Sequence, residues 1–227
     1  MSAPKVLFYV QHLLGIGHVK RATTLARAMA GEGLDVTVVS GGADIQVIDA
    51  GGMDFVQLPP VRASDRNFGG LVDGAGVPVS EALKAERRDI LLQCFADLRP
   101  DALIIELFPF GRRQLRFELI PLLEAARTAA HQPRVISSVR DILVEKNRPE
   151  RDAEMVAWAR QYFDDILIHG DPSLIPFEQT FPLAADIADM MHYTGYVVEH
   201  DKISAAGGDQ GLGEAIARKM VAEQAAG

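Results

Sequence analysis

The stretch Lys5-Val-Leu-Phe-Tyr-Val-Gln-His-Leu-Leu-Gly15-Ile-Gly17-His18 decides the fold, because an apolar strand leads directly into a glycine-rich turn that carries a histidine. The segment 19–29 that follows has the apolar spacing of a helix. In a strand-turn-helix unit, glycines let the backbone approach a ligand closely, and the free N–H groups at the helix start favour negative charge. A histidine in the same turn can transfer a proton. The pattern therefore predicts a site at the beginning of a doubly wound α/β sheet.

The composition indicates one globular domain. The chain has 227 residues, of which 48% are hydrophobic, and this is enough to bury a substantial core. It has no run of about 18 apolar residues and no secretory signal at its start, so we expect a cytoplasmic location. The net charge of -8 argues against a nucleic-acid surface. The single cysteine, Cys94, lies among apolar residues in a helical pattern, which indicates core packing.

Strand and helix patterns alternate along most of the chain, which predicts a parallel sheet with helices on both faces. We expect a Rossmann-like, doubly wound α/β fold with a mostly parallel seven-stranded sheet. The predicted strands are 6–11, 35–40, 55–58, 102–107, 134–138, 165–169 and 193–198. The predicted helices are 19–31, 43–50, 79–98, 112–130, 150–162 and 183–191. The segment 59–78 is expected to be a long irregular loop, either facing a substrate or disordered.

The pattern changes after residue 198. We expect a domain at 1–198, followed at 199–227 by a polar linker and an amphipathic helix with Leu212, Ile216 and Met220 on its apolar stripe. An isolated amphipathic helix must pack on something to be stable. The simplest expectation is that it packs on the sheet of its own chain.

A ligand site in an open parallel sheet lies at the carboxyl ends of the strands, where the strand order reverses. In the usual winding this point lies between the first and fourth strands, so the loops that follow them should face each other. The loops after the fifth and sixth strands add further polar residues at the same edge. The candidates are His18 as a base and, for binding, Gly15, Gly17, Glu106, Phe110, Arg112, Arg140 and Asp141.

Each candidate also has a structural interpretation. The glycines can serve a tight turn, His18 can cap the helix, and Glu106 can accept backbone N–H bonds at its strand end. Arg140 and Asp141 can form an ion pair with each other. Turn chemistry accounts for the sequence at 169–172, and His12 can be a strand-end residue without further function.

Two nucleotide-binding motifs are excluded. The turn at 15–20 begins like the dinucleotide fingerprint, but Lys20 stands where a third glycine is required. The acidic residue expected at the end of the second strand is also missing, because that strand ends in Ser40-Gly41-Gly42. The chain has no Gly-Lys-Ser/Thr sequence, which excludes a P-loop. We therefore expect no resident nicotinamide or flavin cofactor, and we predict no metal ligand.

Several blocks resemble GT-B glycosyltransferases of the MurG-like branch. The segment Gln11-His-Leu-Leu-Gly-Ile-Gly-His18 and the helix after it are similar to the first glycine-rich loop and helix of that family. The blocks 100–113, 138–143, 169–172 and 193–197 are similar to bacterial predicted glycosyltransferases of the same branch. The resemblance extends over residues 4–198.

The resemblance implies an amino-terminal, acceptor-binding domain in which His18 deprotonates the acceptor hydroxyl. A nucleotide-sugar would be the co-substrate, and the acceptor would be a small molecule or a lipid-linked compound. Residues 199–227 are too few to form a donor-binding domain, so the chain alone is expected to be inactive. A donor domain in trans or self-association could cover its open face. The alternatives are a non-catalytic binding or scaffold module and an epimerase-type enzyme that acts on sugar nucleotides.

Overall fold

A computed structural model of the chain describes residues 2–13, 17–43, 53–65, 70–143 and 149–198. It contains four α-helices within these ranges, α1 (Gly17–Gly31), α2 (Glu81–Leu98), α3 (Arg116–Thr128) and α4 (Pro149–Tyr162). Three short 3₁₀ helices lie at Arg113–Leu115, Phe177–Gln179 and Ala184–Met190. The strands are β1 (Lys5–Val10), β2 (Asp35–Ser40), β3 (Asp54–Gln57), β4 (Val61–Ala63), β5 (Leu71–Asp73), β6 (Ala102–Glu106), β7 (Arg134–Arg140), β8 (Asp165–His169) and β9 (Met191–Tyr193).

Seven of these strands form one sheet in the order β3-β2-β1-β6-β7-β8-β9. Every neighbouring pair in it is parallel. The predicted α/β fold with a seven-stranded, doubly wound sheet is therefore confirmed. None of the helices in the described ranges combines the length and the apolar character that a membrane crossing requires.

The two faces of the sheet are buried by different helices. Alternate residues of β1 point to opposite faces, as the two-residue period of a strand requires. Val6, Phe8 and Val10 pack against the apolar stripe of α1, whereas Leu7 and Tyr9 pack toward α2, α3 and α4. Because both faces are covered near the centre of the sheet, its strands are apolar throughout rather than alternating.

Helix α2 begins and ends at recognisable sequence signals. The hydroxyl of Ser80 accepts a hydrogen bond of 3.1 Å from the backbone N–H of Leu83, which satisfies one of the free donors at the helix start. The helix ends where Arg99 adopts a left-handed φ of 50° and its N–H bonds the carbonyl of Phe95. These boundaries lie within two residues of the predicted segment 79–98.

The segment 59–78 was predicted to be one irregular loop, but it contains two short strands. Strands β4 and β5 form an antiparallel pair in which Ala63 lies opposite Leu71. Val61 and Ala63 are buried and the intervening Arg62 is exposed, so this short run alternates as a strand with one buried face. Three residues are too few for periodicity to identify a strand among glycines and charges.

Other boundaries also differ from the prediction. Strand β9 covers Met191–Tyr193, whereas 193–198 was expected, because Gly195 turns the chain with a φ of 75°. The predicted helix 183–191 is a 3₁₀ helix at Ala184–Met190. The predicted helix at 43–50 and the tail at 199–227 lie outside the described residues.

A buried polar network underlies the carboxyl end of β1. Arg87 of α2 and Glu118 of α3 are both 0% exposed and form a two-pronged ion pair, with distances of 2.8 Å from Nε and 2.6 Å from Nη2. The hydroxyl of Tyr9 donates to the same carboxylate at 2.5 Å. Arg87 also donates from Nη2 to the Gln11 side-chain oxygen at 3.1 Å, and from Nη1 to the carbonyls of Gly41 and Pro59. All five N–H donors of this guanidinium are thereby satisfied.

Candidate functional site

The candidate site lies where the strand order reverses. β1 pairs with β2 on one side and with β6 on the other, so the chain proceeds outward in opposite directions from this pair. The loops after β1 and β6 consequently diverge and leave a crevice at the carboxyl edge of the sheet. The sequence placed the reversal of the strand order between the first and fourth strands of the sheet, and the structure confirms that reversal between β1 and β6.

One hydrogen bond joins the two sides of the crevice. Nδ1 of His18, in the first turn of α1, lies 2.7 Å from Oε1 of Glu106, the last residue of β6. Arg21, three residues further along α1, donates from Nη2 to the same oxygen. The Glu106 side chain is 0% exposed, whereas the His18 side chain is 25% exposed. The structure therefore brings together two candidates that the sequence identified on separate loops.

The carboxylate determines which nitrogen of His18 is basic. An ionised carboxylate only accepts hydrogen bonds, so Nδ1 carries the proton of the neutral imidazole. Nε2 then holds the lone pair. The ring is partly exposed, and a histidine oriented in this way is suited to general-base chemistry.

Three buried polar atoms at the crevice lack a hydrogen-bond partner. Within the described part of the chain, the buried side-chain atoms in this state are His12 Nδ1, Arg21 Nε, Glu106 Oε2 and His131 Nε2. His131 lies apart from the others, against the ring of Phe95 in α2. Unpartnered buried polar groups cost free energy, so native proteins hold few of them. Their concentration in one crevice indicates a place where a polar ligand completes the hydrogen bonding.

His12 is a component of the crevice that the sequence did not identify. It follows β1 directly and is 8% exposed. Burial lowers the pKa of His12, and the nearby Arg112 and His18 side chains lower it further, so the His12 ring is neutral at physiological pH. Gly42 makes room for this ring, because a Cβ at that position would lie 2.6 Å from Nε2 of His12. The local sequence of a histidine at the end of an apolar strand does not distinguish one that lies at a crevice from an ordinary strand-end residue.

Arg112 reaches the crevice from the loop that follows β6. Its Nε donates to the carbonyl oxygen of Gln11 at 3.0 Å, just beyond β1. The residue is 9% exposed, and its backbone has a left-handed φ of 60°. Burial lowers the pKa of Arg112, and the negative charge of Glu106 partly offsets this effect. Arg112 is thus a buried cation in the neighbourhood of the His18 and Glu106 pair.

Phe110, Gly15 and Gly17 are the other candidates from the loops after β1 and β6. The Phe110 ring is buried and meets Phe177 and Phe181 edge-on, with centroid distances of 5.4 and 5.2 Å. It supports the loop from the core side, and its contact with an acceptor stays a prediction. Gly17 begins α1 with open space around its Cα, and Gly15 lies outside the described residues.

Arg140 and Asp141 lie further along the edge, at the end of β7. Arg140 is exposed and Asp141 is buried. The Asp141 side chain packs against Gly170, where a Cβ would lie 2.7 Å from Oδ2, and its carbonyl accepts a 3.0 Å bond from the Thr180 hydroxyl. These contacts hold the loops after β7 and β8 together. A binding role for either residue remains a prediction.

His169, at the end of β8, is a buried structural histidine. Nε2 lies 2.7 Å from the Ser138 hydroxyl and Nδ1 lies 2.7 Å from the Thr194 hydroxyl. Burial lowers the pKa of His169 to about 3, and the Arg21 charge acts in the same direction. The ring is therefore neutral at physiological pH and links β7, β8 and the residues after β9. This agrees with the structural interpretation of the segment 169–172.

The fold resembles solved glycosyltransferases. The glycosyltransferase of Rickettsia africae ESF-5 matches with a TM-score of 0.57 at 8% identity, over 99% of this chain and 50% of that chain. MurG of Acinetobacter baumannii matches with a TM-score of 0.51 at 12% identity, over 86% of this chain and 46% of that chain. The glycotransferase of kitacinnamycin matches with a TM-score of 0.50 at 13% identity, over 91% and 54%.

No protein-family model and no curated protein matches the sequence. The chain spans about half the length of the solved structures that it matches. At this level of identity the likeness concerns the fold, and function has to be argued from the site. The chain therefore has the GT-B glycosyltransferase fold, in the form of one Rossmann-like half with a seven-stranded parallel sheet.

Proposed function

We propose that this chain is the acceptor-binding domain of a glycosyltransferase that transfers a sugar from a nucleotide-sugar to a hydroxyl group. The observation that carries the proposal is the 2.7 Å hydrogen bond between His18 Nδ1 and the buried Glu106 carboxylate at the crevice of the sheet. The shared fold with solved glycosyltransferases supports it. No observation on the described residues favours a scaffold or an epimerase instead.

The proposed reaction requires a base on the acceptor side. Nε2 of His18 takes the proton of the acceptor hydroxyl while the acceptor oxygen forms a bond to the anomeric carbon of the sugar. The bond from that carbon to the nucleoside diphosphate breaks, and the diphosphate leaves with the electron pair. Glu106 holds the imidazole in the tautomer that the reaction needs and stabilises the imidazolium that forms.

The donor would be held by a second domain. The leaving diphosphate needs positive electrostatic stabilisation, which in this proposal comes from groups outside the chain. The second domain could be supplied in cis or in trans, and the acceptor would be a small molecule or a lipid-linked compound. We expect the chain alone to bind nucleotide-sugars weakly and to transfer sugar at no useful rate. A cytoplasmic location and self-association through the open edge also remain proposals.

Kinetics of the chain joined to a donor-binding domain test the role of His18. We expect His18→Ala to lower kcat by roughly 10²–10⁴-fold without loss of folding, because a positioned base contributes about that much. Lys20→Ala is the matched control, since Lys20 is an exposed residue on the same turn of α1. Turnover of His18→Ala at the rate of Lys20→Ala would exclude His18 as the base.

Calorimetry with the chain alone tests whether the binding of a nucleotide-sugar requires a second domain. Titration with a nucleotide-sugar should give little or no heat of specific binding. Micromolar binding together with sugar transfer by the chain itself would show that no second domain is needed.

A further inference from the structure

Arg112 has an unusual hydrogen-bonding state for a buried arginine. It is nine-tenths buried, yet Nε is its one nitrogen with a partner among the described residues, the carbonyl of Gln11. Nη1 and Nη2 make no bond to any described group. The Arg112 charge interacts with Glu106 and Arg21, whose Oε2 and Nε atoms are also without partners among the described residues. The planar end of the guanidinium is therefore available to a ligand.

The charges around Arg112 are not balanced. Glu106 is the carboxylate that acts on Arg112 electrostatically, but its Oε1 is already engaged by His18 and Arg21. Among the described residues two arginines thus share one carboxylate, which leaves about one positive charge at the crevice. A buried cation without its own counter-ion is costly, and an anion that binds there removes the cost.

The backbone holds Arg112 in one place. Its φ of 60° lies in the left-handed region that few non-glycine residues adopt. The preceding Gly111 fits closely over the Leu107 side chain, since a Cβ there would lie 2.7 Å from Cδ2. Left-handed residues outside glycine cost free energy and persist where the surroundings require them. Together with the Nε bond to the carbonyl of Gln11, this backbone conformation restricts where the guanidinium can lie.

We propose that Arg112 binds an oxyanion of the acceptor, a carboxylate or a phosphate, beside the hydroxyl that His18 deprotonates. Two parallel N–H groups of a guanidinium can bond two oxygens of either anion at once. Water and a neutral hydroxyl each offer only one oxygen, so they match the guanidinium less well. The claim that this anion belongs to the acceptor rests on the proposed function. The anion site itself does not.

The test measures anion binding to the 227-residue chain. Inorganic phosphate and acetate are titrated separately at constant ionic strength, and binding is followed through the NMR signals of the His12 and His18 rings. The wild type should show saturable binding. Arg112→Gln should weaken it by roughly tenfold or more, because a charge-assisted pair is lost. Tighter binding of phosphate assigns the site to a phosphate, and equal or tighter binding of acetate assigns it to a carboxylate.

Arg113→Gln is the matched control, because Arg113 is the next residue and pairs instead with Glu154 of α4 at 2.6 Å. It should bind the anion as the wild type does. Arg112→Lys keeps a charge but loses the paired N–H groups, so it should bind with intermediate strength, and it replaces Arg112→Gln if that variant does not fold. Absence of saturable binding, or equal weakening in the Arg112 and Arg113 variants, would overturn the proposal.

The outcome for the anion site can be separated from the outcome for the proposed function. His18→Ala should retain phosphate or acetate binding even though it removes the base. In the joined two-domain enzyme, an unchanged KM for the acceptor in Arg112→Gln would overturn the assignment of the anion to the acceptor and leave the proposed function intact. Anion binding that depends on Arg112, in an enzyme that transfers no sugar, would support the site and refute the function.

Discussion

The polar network around Arg87 and the polar cluster around Glu106 are both buried near the carboxyl end of β1, but their hydrogen bonding differs. Arg87 has partners for all five of its N–H groups and a carboxylate of its own in Glu118. In the cluster, counting only partners in the part of the chain that the structure describes, Glu106 Oε2 and Arg21 Nε have none and Arg112 makes one bond. A completed network stabilises the fold, whereas an incomplete one has bonds left for a ligand. The comparison separates a completed ion-pair network from an incomplete one at the same end of β1.

The largest expected effect is on stability, from loss of Arg87. Arg87→Met should lower the free energy of unfolding by about 3–5 kcal/mol, because Glu118 is left as an unpaired buried charge and two carbonyls lose a donor. Urea unfolding measures the change. Arg88→Met is the control, since Arg88 is 40% exposed and contacts Asp89 at the surface. A loss of less than about 1 kcal/mol for Arg87→Met would show that the network is not structural.

A matched pair of carboxylate variants then compares the two regions directly. Glu118→Gln should destabilise the fold by roughly 3 kcal/mol, because Arg87 has no other counter-ion. Glu106→Gln should cost only about 1 kcal/mol, since Arg21 is 18% exposed and water can replace the lost bond. Transfer by the joined enzyme should fall by roughly 10–100-fold in Glu106→Gln, because the orientation of His18 is weakened. Equal destabilisation by both variants would remove the distinction between the regions.

A smaller effect is expected in the pH dependence of stability. The pKa of His169 is lowered to about 3 in the folded protein, so between its unfolded pKa of about 6.5 and pH 3 the unfolded chain binds a proton that the folded chain does not. Stability is therefore lost as the pH falls, with a slope that approaches about 1.4 kcal/mol per pH unit from this group. The lowered pKa of His12 acts in the same direction.

Urea unfolding between pH 7 and pH 5 measures this slope, above the range where most carboxyl groups titrate. His169→Gln should be destabilised at pH 7, through loss of its bonds to Ser138 and Thr194, but should lose less stability on acidification than the wild type. An unchanged slope in the variant would show that His169 does not stay neutral in the folded protein.

The fold was accessible from the sequence because its strands are short apolar runs separated by helical patterns. Six of the seven strands of the sheet were predicted within two residues of their bounds, and the winding rule then located the reversal of the strand order between β1 and β6. The β4 and β5 pair was missed, since three-residue strands carry too little periodicity. Strand β9 was misplaced, because a glycine turn and not hydrophobicity ends it.

The polar networks were not accessible in the same way. Arg87 and Glu118 occur in helices whose other charged residues face solvent, and nothing in their local sequence distinguishes them. Phe110 was predicted to bind the acceptor, which stays a prediction, and only the structure shows that its ring packs with Phe177 and Phe181. Which way an aromatic ring turns from a loop depends on segments more than sixty residues away along the chain.

The sequence by itself determined the order of the elements, the parallel sheet and the edge at which a site forms, because these follow from the spacing of apolar residues along the chain. It also supplied His18 and Glu106 as candidates, since both stand at strand or helix ends on that edge. Only the tertiary structure decided that these two are hydrogen-bonded, that Arg87 is fully paired, and that Arg112 is not. The physical reason is that a hydrogen bond requires two atoms to lie about 3 Å from each other. His18 and Glu106 are 88 positions apart in the chain, so only the folded structure brings their atoms to that distance.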